Sequence, residues 1–205
     1  MIIAGTDTSF ITLEWAMTEL VRYPGVMKKL QEEIRGIANR DSVVREEDLR
    51  GMSYLKAVIK EVLRLYPAAP ILLPHESMET CQIQGYEIPA GTRVIVNAWA
   101  IARDPEFWEA PDEFRPERFL ESDVDFRGHD FQFIPFGAGR RICPGLNFAV
   151  STLELAIANL VHRFDWRLPE GMEVEDLDMT EAPGLTTRRK EKLQLVASPS
   201  SRWNL

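Results

Sequence analysis

The sequence predicts a mainly α-helical chain with small β-sheets, on three observations. Apolar residues recur at helical spacing over residues 2–21, 26–37, 54–66 and 146–164. Prolines, glycines and short apolar runs between residues 67 and 96 read as extended chain with a hairpin. Residues 104–133 are dense in aromatics, proline and charge without periodicity, which reads as a long ordered loop held by its side chains.

Each element has its own warrant. Met1-Ile2-Ile3-Ala4 opens on an apolar pattern with no polar residue to cap it. The first helix thus begins inside a core, and residues 1–205 read as a single partial domain truncated at its N-terminus. Phe10, Leu13, Trp15, Ala16, Met17, Leu20 and Val21 carry its period until Tyr23-Pro24-Gly25 ends it, and Pro24 opens the next helix. Val26, Met27, Leu30 and Ile34 stand among charges, as in an amphipathic surface helix. Residues 39–51 are charged and loop-like, with a short turn at 46–49. Leu55, Val58, Ile59 and Val62 form one face of the third helix, which Pro67 stops. Pro67, Pro70 and Pro74 then force an extended path. Cys81-Gln82-Ile83 and Tyr86-Glu87-Ile88 flank Gly85 as a hairpin, and Pro89-Ala90-Gly91 turns the chain into a strand at 92–96. After the last helix the tail from Asp165 reads as short strands and turns.

Composition narrows the function. With 24 Lys plus Arg against 32 Asp plus Glu, the formal charge of −8 argues against a nucleic-acid partner, which needs a basic face. The short basic run Arg188-Arg189-Lys190 reads as a solvated strand end. Cys81 and Cys143 make no disulfide framework, and His75, His129 and His162 share no zinc-ligand spacing. No apolar run reaches the ~18–20 residues of a membrane span, and no signal peptide opens the chain.

Chemistry concentrates between the long loop and the last helix, in Phe133-Ile134-Pro135-Phe136-Gly137-Ala138-Gly139-Arg140-Arg141-Ile142-Cys143-Pro144-Gly145. Gly137 and Gly139 let backbone approach a flat ligand or adopt positive φ. Pro144 suits the first turn of the following helix, whose positive end favours a thiolate at Cys143. A buried cysteine in a glycine-rich turn is the competing reading. Against it stands F-x-x-G-x-x-x-C-x-G at Phe136, Gly139, Cys143 and Gly145. At ordinary residue usage it arises by chance about once in a thousand chains of this size.

This segment resembles the haem-binding loop of the cytochrome P450 family, in the form found in plant microsomal members. The resemblance implies the C-terminal part of that fold and haem b (iron protoporphyrin IX) as cofactor, with Cys143 as the axial thiolate ligand. Thiolate ligation pushes electron density toward O–O cleavage. It further implies that Arg141 meets a haem propionate, that Phe136 packs beside the thiolate and that Gly139 allows close approach.

Other motifs gain meaning only through that resemblance. Glu61-Val62-Leu63-Arg64 is an E-x-x-R spacing that turns up in roughly every second chain of this length. Both side chains fall off the apolar face of their helix, so a surface ion pair is the bland reading. Phe114-Arg115-Pro116-Glu117-Arg118-Phe119 is similar to the family's P-E-R-F segment, which implies a buried structural triad of Glu61, Arg64 and Arg118. Ala4-Gly5-Thr6-Asp7-Thr8-Ser9 places poor helix formers in the middle of an apolar run. Either they kink the helix and bond back to the preceding turn, or they form a groove over the iron. By resemblance Thr8 holds iron-bound oxygen and a relay water, while Asp7 links the relay to solvent. His75 matches a propionate-binding position. Ala4, Gly5, Ala69, Ile71, Leu72 and Leu185 fall in segments that line the substrate pocket.

The resemblance covers essentially the whole chain and under half of the family's usual length. The expected activity is a monooxygenase that puts one atom of O2 into a lipophilic small molecule. Its electrons come, by the same resemblance, from NADPH through an NADPH-cytochrome reductase, with cytochrome b5 as a further donor. The full-length form is expected at the cytosolic face of the endoplasmic reticulum membrane. The alternative is a non-catalytic fragment of such an enzyme without a stable haem site. A relative that rearranges peroxides is disfavoured by the Asp7-Thr8 pair.

Overall fold

The computed structural model describes residues 2–39 and 43–200, so Met1 lies outside the described residues. Its helices follow the sequence closely. Helix α1 (Ile2–Arg22) buries Ile11, Trp15 and Leu20 completely. Helix α2 (Pro24–Ile37) starts with Pro24 in its first turn and buries Met27, Leu30 and Ile34. The turn expected at 46–49 is present and continues as a 3-10 turn over Asp48–Gly51. Its start is closed by the Asp48 carboxylate, which accepts the Arg45 N–H at 2.8 Å, and by the Asp48 N–H, which donates to the Arg45 carbonyl at 3.0 Å. Helix α3 (Ser53–Leu65) is capped from another element: Glu33 of α2 accepts the Tyr54 N–H at 2.7 Å and the Leu55 N–H at 2.9 Å. Nearly all of α3 is buried, including Glu61 and Arg64, because α1, α2 and α5 pack around it.

The extended region forms two small antiparallel sheets. Strand β1 (His75–Glu76) pairs with β4 (Arg93–Val94), and β2 (Cys81–Ile83) with β3 (Tyr86–Ile88). Gln84 and Gly85 both take positive φ (49° and 85°), the signature of a two-residue hairpin turn. Strand β4 is shorter than the expected 92–96, because β1 offers it only two partners. The chain turns instead into a short helix that the sequence pattern did not show, α4 (Ala98–Ile101), where Asn97 Oδ1 accepts the Ala100 N–H at 3.0 Å.

The expected long loop is irregular apart from a 3-10 turn at Pro116–Phe119. Aromatic rings hold it: Phe119 and Trp108 lie 5.2 Å and 6.1 Å from Phe133, and Phe126 lies 6.3 Å from Phe133 and 5.6 Å from Phe136. Helix α5 (Leu146–Arg163) runs back through the core. Strands β5 (Phe164–Arg167) and β8 (Val196–Pro199) pair antiparallel, as do β6 (Glu181–Ala182) and β7 (Arg188–Arg189).

One sequence expectation fails in the tail. Arg189 is buried (4% exposed), not a solvated strand end. Its guanidinium lies 5.2 Å over the Trp15 ring and donates to Thr18 Oγ1 at 3.2 Å and the Asp178 carbonyl at 2.8 Å. The cation is tolerated inside because these partners replace water. No helix among the described residues is long and apolar enough to cross a membrane.

Candidate active site

The site starts from the charge triad, since that fixes the loop in front of Cys143. Glu61 is fully buried, yet its Oε1 accepts from Arg64 Nη2 (2.9 Å), Arg118 Nε (3.0 Å) and the Arg115 N–H (2.9 Å). Its Oε2 accepts from Arg64 Nε at 2.8 Å. Arg64 uses its remaining donors on the carbonyls of Ala102, Pro111 and Glu113. Arg118 donates to the carbonyls of Glu109 and Ala110. The two guanidinium carbons lie 5.3 Å and 6.0 Å from the Trp108 ring, which in turn contacts Phe119 and Phe133. The triad therefore clamps irregular backbone that has no ladder of its own, and passes that order through the rings to Phe136.

The cysteine loop shows why its glycines are needed. Gly137 and Gly139 have φ of +74° and +70°. The Cys143 N–H donates to the Phe136 carbonyl at 2.9 Å, closing the loop upon itself. Helix α5 begins at Leu146 with Gly145 flanking it, so Cys143 stands one turn before the helix and not beside its first residue. The Leu146 N–H reaches the Cys143 carbonyl at 3.4 Å and makes that turn. Cys143 is half-buried and unpaired. A Cβ at Gly145 would make an ordinary van der Waals contact with its Sγ at 3.8 Å.

On the far side, α1 runs unbroken through Gly5-Thr6-Asp7-Thr8-Ser9. The Thr8 hydroxyl donates to the Ala4 carbonyl at 2.6 Å, the back-bonded arrangement. Asp7 is exposed, and its Oδ2 accepts from Thr186 Oγ1 at 2.9 Å. Thr186 lies beside Leu185 at the tip of the β6–β7 hairpin. A continuous set of contacts then runs from Asp7 to the cysteine loop. The Thr187 N–H donates to the Ala68 carbonyl (2.9 Å), and the Leu72 N–H to the Ala69 carbonyl (3.0 Å). Leu72 packs with Ile134, and Ala138 of the cysteine loop lies against the same cluster. Leu72 is buried with Ala98 and Ile134, whereas Ile71 and Leu185 expose their apolar side chains. Ala4 is exposed and Gly5 half-buried. His75 on β1 and Arg141 are both exposed.

These residues fit a flat, largely apolar, anionic-edged group such as haem. The thiol is unpaired and reachable. No atom lies within 4 Å of the Cβ positions of Gly5 and Gly139, so a planar face has room to approach. Exposed N–H donors at Arg141 and His75 suit carboxylate edges. No group of three or more His, Cys, Asp or Glu among the described residues could hold a bare metal ion. Sequence reasoning missed Trp108, the carbonyl partners of Arg64 and Arg118, and the reach of Thr186 to Asp7. Only the density of Trp and Phe in residues 107–133 signalled the first of these.

Comparisons with known proteins point to one family. The family model described as Cytochrome P450 matches residues 1–196. The chain is 58% identical over 198 residues to Cytochrome P450 71A2 of Solanum melongena, covering 96% of this chain and 39% of that protein. It is 57% identical to indole-2-monooxygenase of Zea mays (94% and 37% covered) and 53% identical to Tabersonine 16-hydroxylase 2 of Catharanthus roseus (98% and 40% covered). A zebra fish cytochrome P450 solved with abiraterone superposes with a TM-score of 0.86 at 33% identity, over 97% of this chain and 45% of that one. The chain thus spans about two fifths of the length of the curated relatives it matches. With the motifs, the fold and these matches in accord, the chain belongs to the cytochrome P450 family.

Proposed function

We propose that this chain forms the thiolate-bearing part of a haem-thiolate monooxygenase acting on a lipophilic small molecule. The observation that carries the reading is the run of contacts from Asp7, through Thr186, Thr187, Ala68 and Leu72, to Ile134 and Ala138 of the loop that bears Cys143. When bound, haem b supplies a redox-active iron at which dioxygen is activated. Cys143 would hold that iron, Phe136 would shield the thiolate, and Arg141 and His75 would pair with the propionates. Thr8 and Asp7 have the chemistry to hand protons inward while apolar neighbours exclude bulk water. Ala4, Gly5, Ala69, Ile71, Leu72 and Leu185 give the substrate an apolar wall. Glu61, Arg64 and Arg118 stay structural.

Relatives named for hydroxylation of tabersonine and oxygenation of indole support a plant secondary metabolite as substrate class. Electrons would come from NADPH through a flavoprotein reductase, with cytochrome b5 as a further donor. A longer form would work at the cytosolic face of the endoplasmic reticulum membrane.

The test is a carbon monoxide difference spectrum of the reduced, haem-supplemented chain beside Cys143→Ala. A red-shifted thiolate band that vanishes in the variant is expected. A wild-type chain that takes up no haem, or a spectrum indifferent to the substitution, would leave a fragment bearing the family's motifs without its chemistry.

A further inference from the structure

The Asp7–Thr186 hydrogen bond joins residues 179 positions apart, so the tertiary fold makes it and no local turn does. The tip that carries Thr186 is anchored on both sides. Arg189, one turn of hairpin away, is fixed by Trp15, Thr18 and the Asp178 carbonyl. The Leu193 N–H donates to Glu14 Oε1 of α1 at 3.0 Å, and the Thr187 N–H to Ala68 at 2.9 Å. The tip also needs a bare glycine: a Cβ at Gly184 would stand 2.8 Å from the Thr186 carbonyl oxygen, a backbone atom that would have to move.

We propose that Thr186 is a positioning residue for Asp7. Its hydroxyl holds Oδ2, which leaves Oδ1 to accept and pass a proton toward Thr8. This deepens the proposed function and rests on it.

The experiment has two arms. In the chain without haem, the Thr186 methyl resonance is followed by NMR across the acid titration, in the wild type, Asp7→Asn and Gly184→Ala. The expected result is a transition in the wild type that disappears in Asp7→Asn and shrinks in Gly184→Ala, where the hydroxyl survives but its backbone is displaced. A methyl transition indifferent to Asp7→Asn overturns the proposal. In the haem-loaded chain with a reductase, Thr186→Val should turn over roughly threefold to tenfold more slowly, a fraction of what a positioned proton donor contributes. Its solvent isotope effect should rise, its substrate affinity should not change, and Thr186→Ser should restore the wild-type behaviour. Equal isotope effects in wild type and Thr186→Val also overturn it. Absence of the thiolate band in the wild type would instead sink the proposed function, while the methyl titration still decides whether Thr186 holds Asp7.

Discussion

Arg64 uses every one of its N–H donors: two on Glu61 and one each on the carbonyls of Ala102, Pro111 and Glu113. Three of those acceptors belong to backbone with no regular structure to satisfy it. Removing the guanidinium leaves a buried carboxylate with only Arg118 and the Arg115 N–H, together with orphaned carbonyls. Arg64→Ala should therefore cost about 3–5 kcal/mol of stability. Arg64→Lys should recover less than half of that, since an ammonium has three donors and no fork. Equilibrium denaturant unfolding measures both, and a lysine variant as stable as the wild type would contradict the geometry. The i,i+3 spacing of Glu61 and Arg64 was visible in the sequence, but helical periodicity alone placed them on the surface. Their burial follows from the segment that folds over them, which lies some fifty residues away in the chain.

At the scale of elements, the cysteine loop is set by its own glycines and by one outside it. Gly128 has φ of +82°, and a Cβ there would lie 3.0 Å from Ile142 Cδ1 and 3.1 Å from Ala138 Cα. Gly139 has φ of +70° with open space around it. Gly139→Ala should cost about 1–2 kcal/mol from the left-handed conformation alone, and Gly128→Ala more, since strain adds to a backbone clash. Thermal unfolding of the two variants gives the order, and the reverse order would show that the clash relaxes freely. Of the two glycines, the motif pointed to Gly139. Gly128 carries no motif, because its constraint comes from the loop folded against it. Helix α4 escaped notice for a different reason: four residues are too few to show a period.

At the scale of the molecule, a polar seam joins α1 to the end of α3 and the C-terminal hairpin. Tyr66 stacks on Trp15 at 4.1 Å and donates its hydroxyl to Glu19. Arg22 binds the same carboxylate oxygen at 2.8 Å, and Arg189 lies near enough to act on its charge. Burial is the largest influence and pushes the Glu19 carboxyl above its ordinary 4.5, with Tyr66 and Arg22 opposing. A raised folded value means that the native chain holds this proton more tightly than the unfolded one. The stability it contributes is complete below pH 4.5 and is lost as pH rises through the folded value. The advantage of the wild type over Glu19→Gln, followed by unfolding from acid to neutral pH, should shrink as pH rises. A difference that does not change with pH would refute this. Tyr66 is held neutral by the same burial and by the carboxylate it touches.

The sequence by itself determined the four long helices, the hairpin, the irregular loop and the cysteine loop. These depend on local period, on proline and glycine stereochemistry, and on residue types at fixed short spacing. Only the tertiary structure decided which charges are buried, which carbonyls the arginines satisfy, and that Thr186 meets Asp7. Arg189 makes the point: its neighbours in sequence are exposed charges, whereas its neighbours in space are Trp15 and Thr18. Burial is a property of what folds over a residue, and that surface comes from elsewhere in the chain.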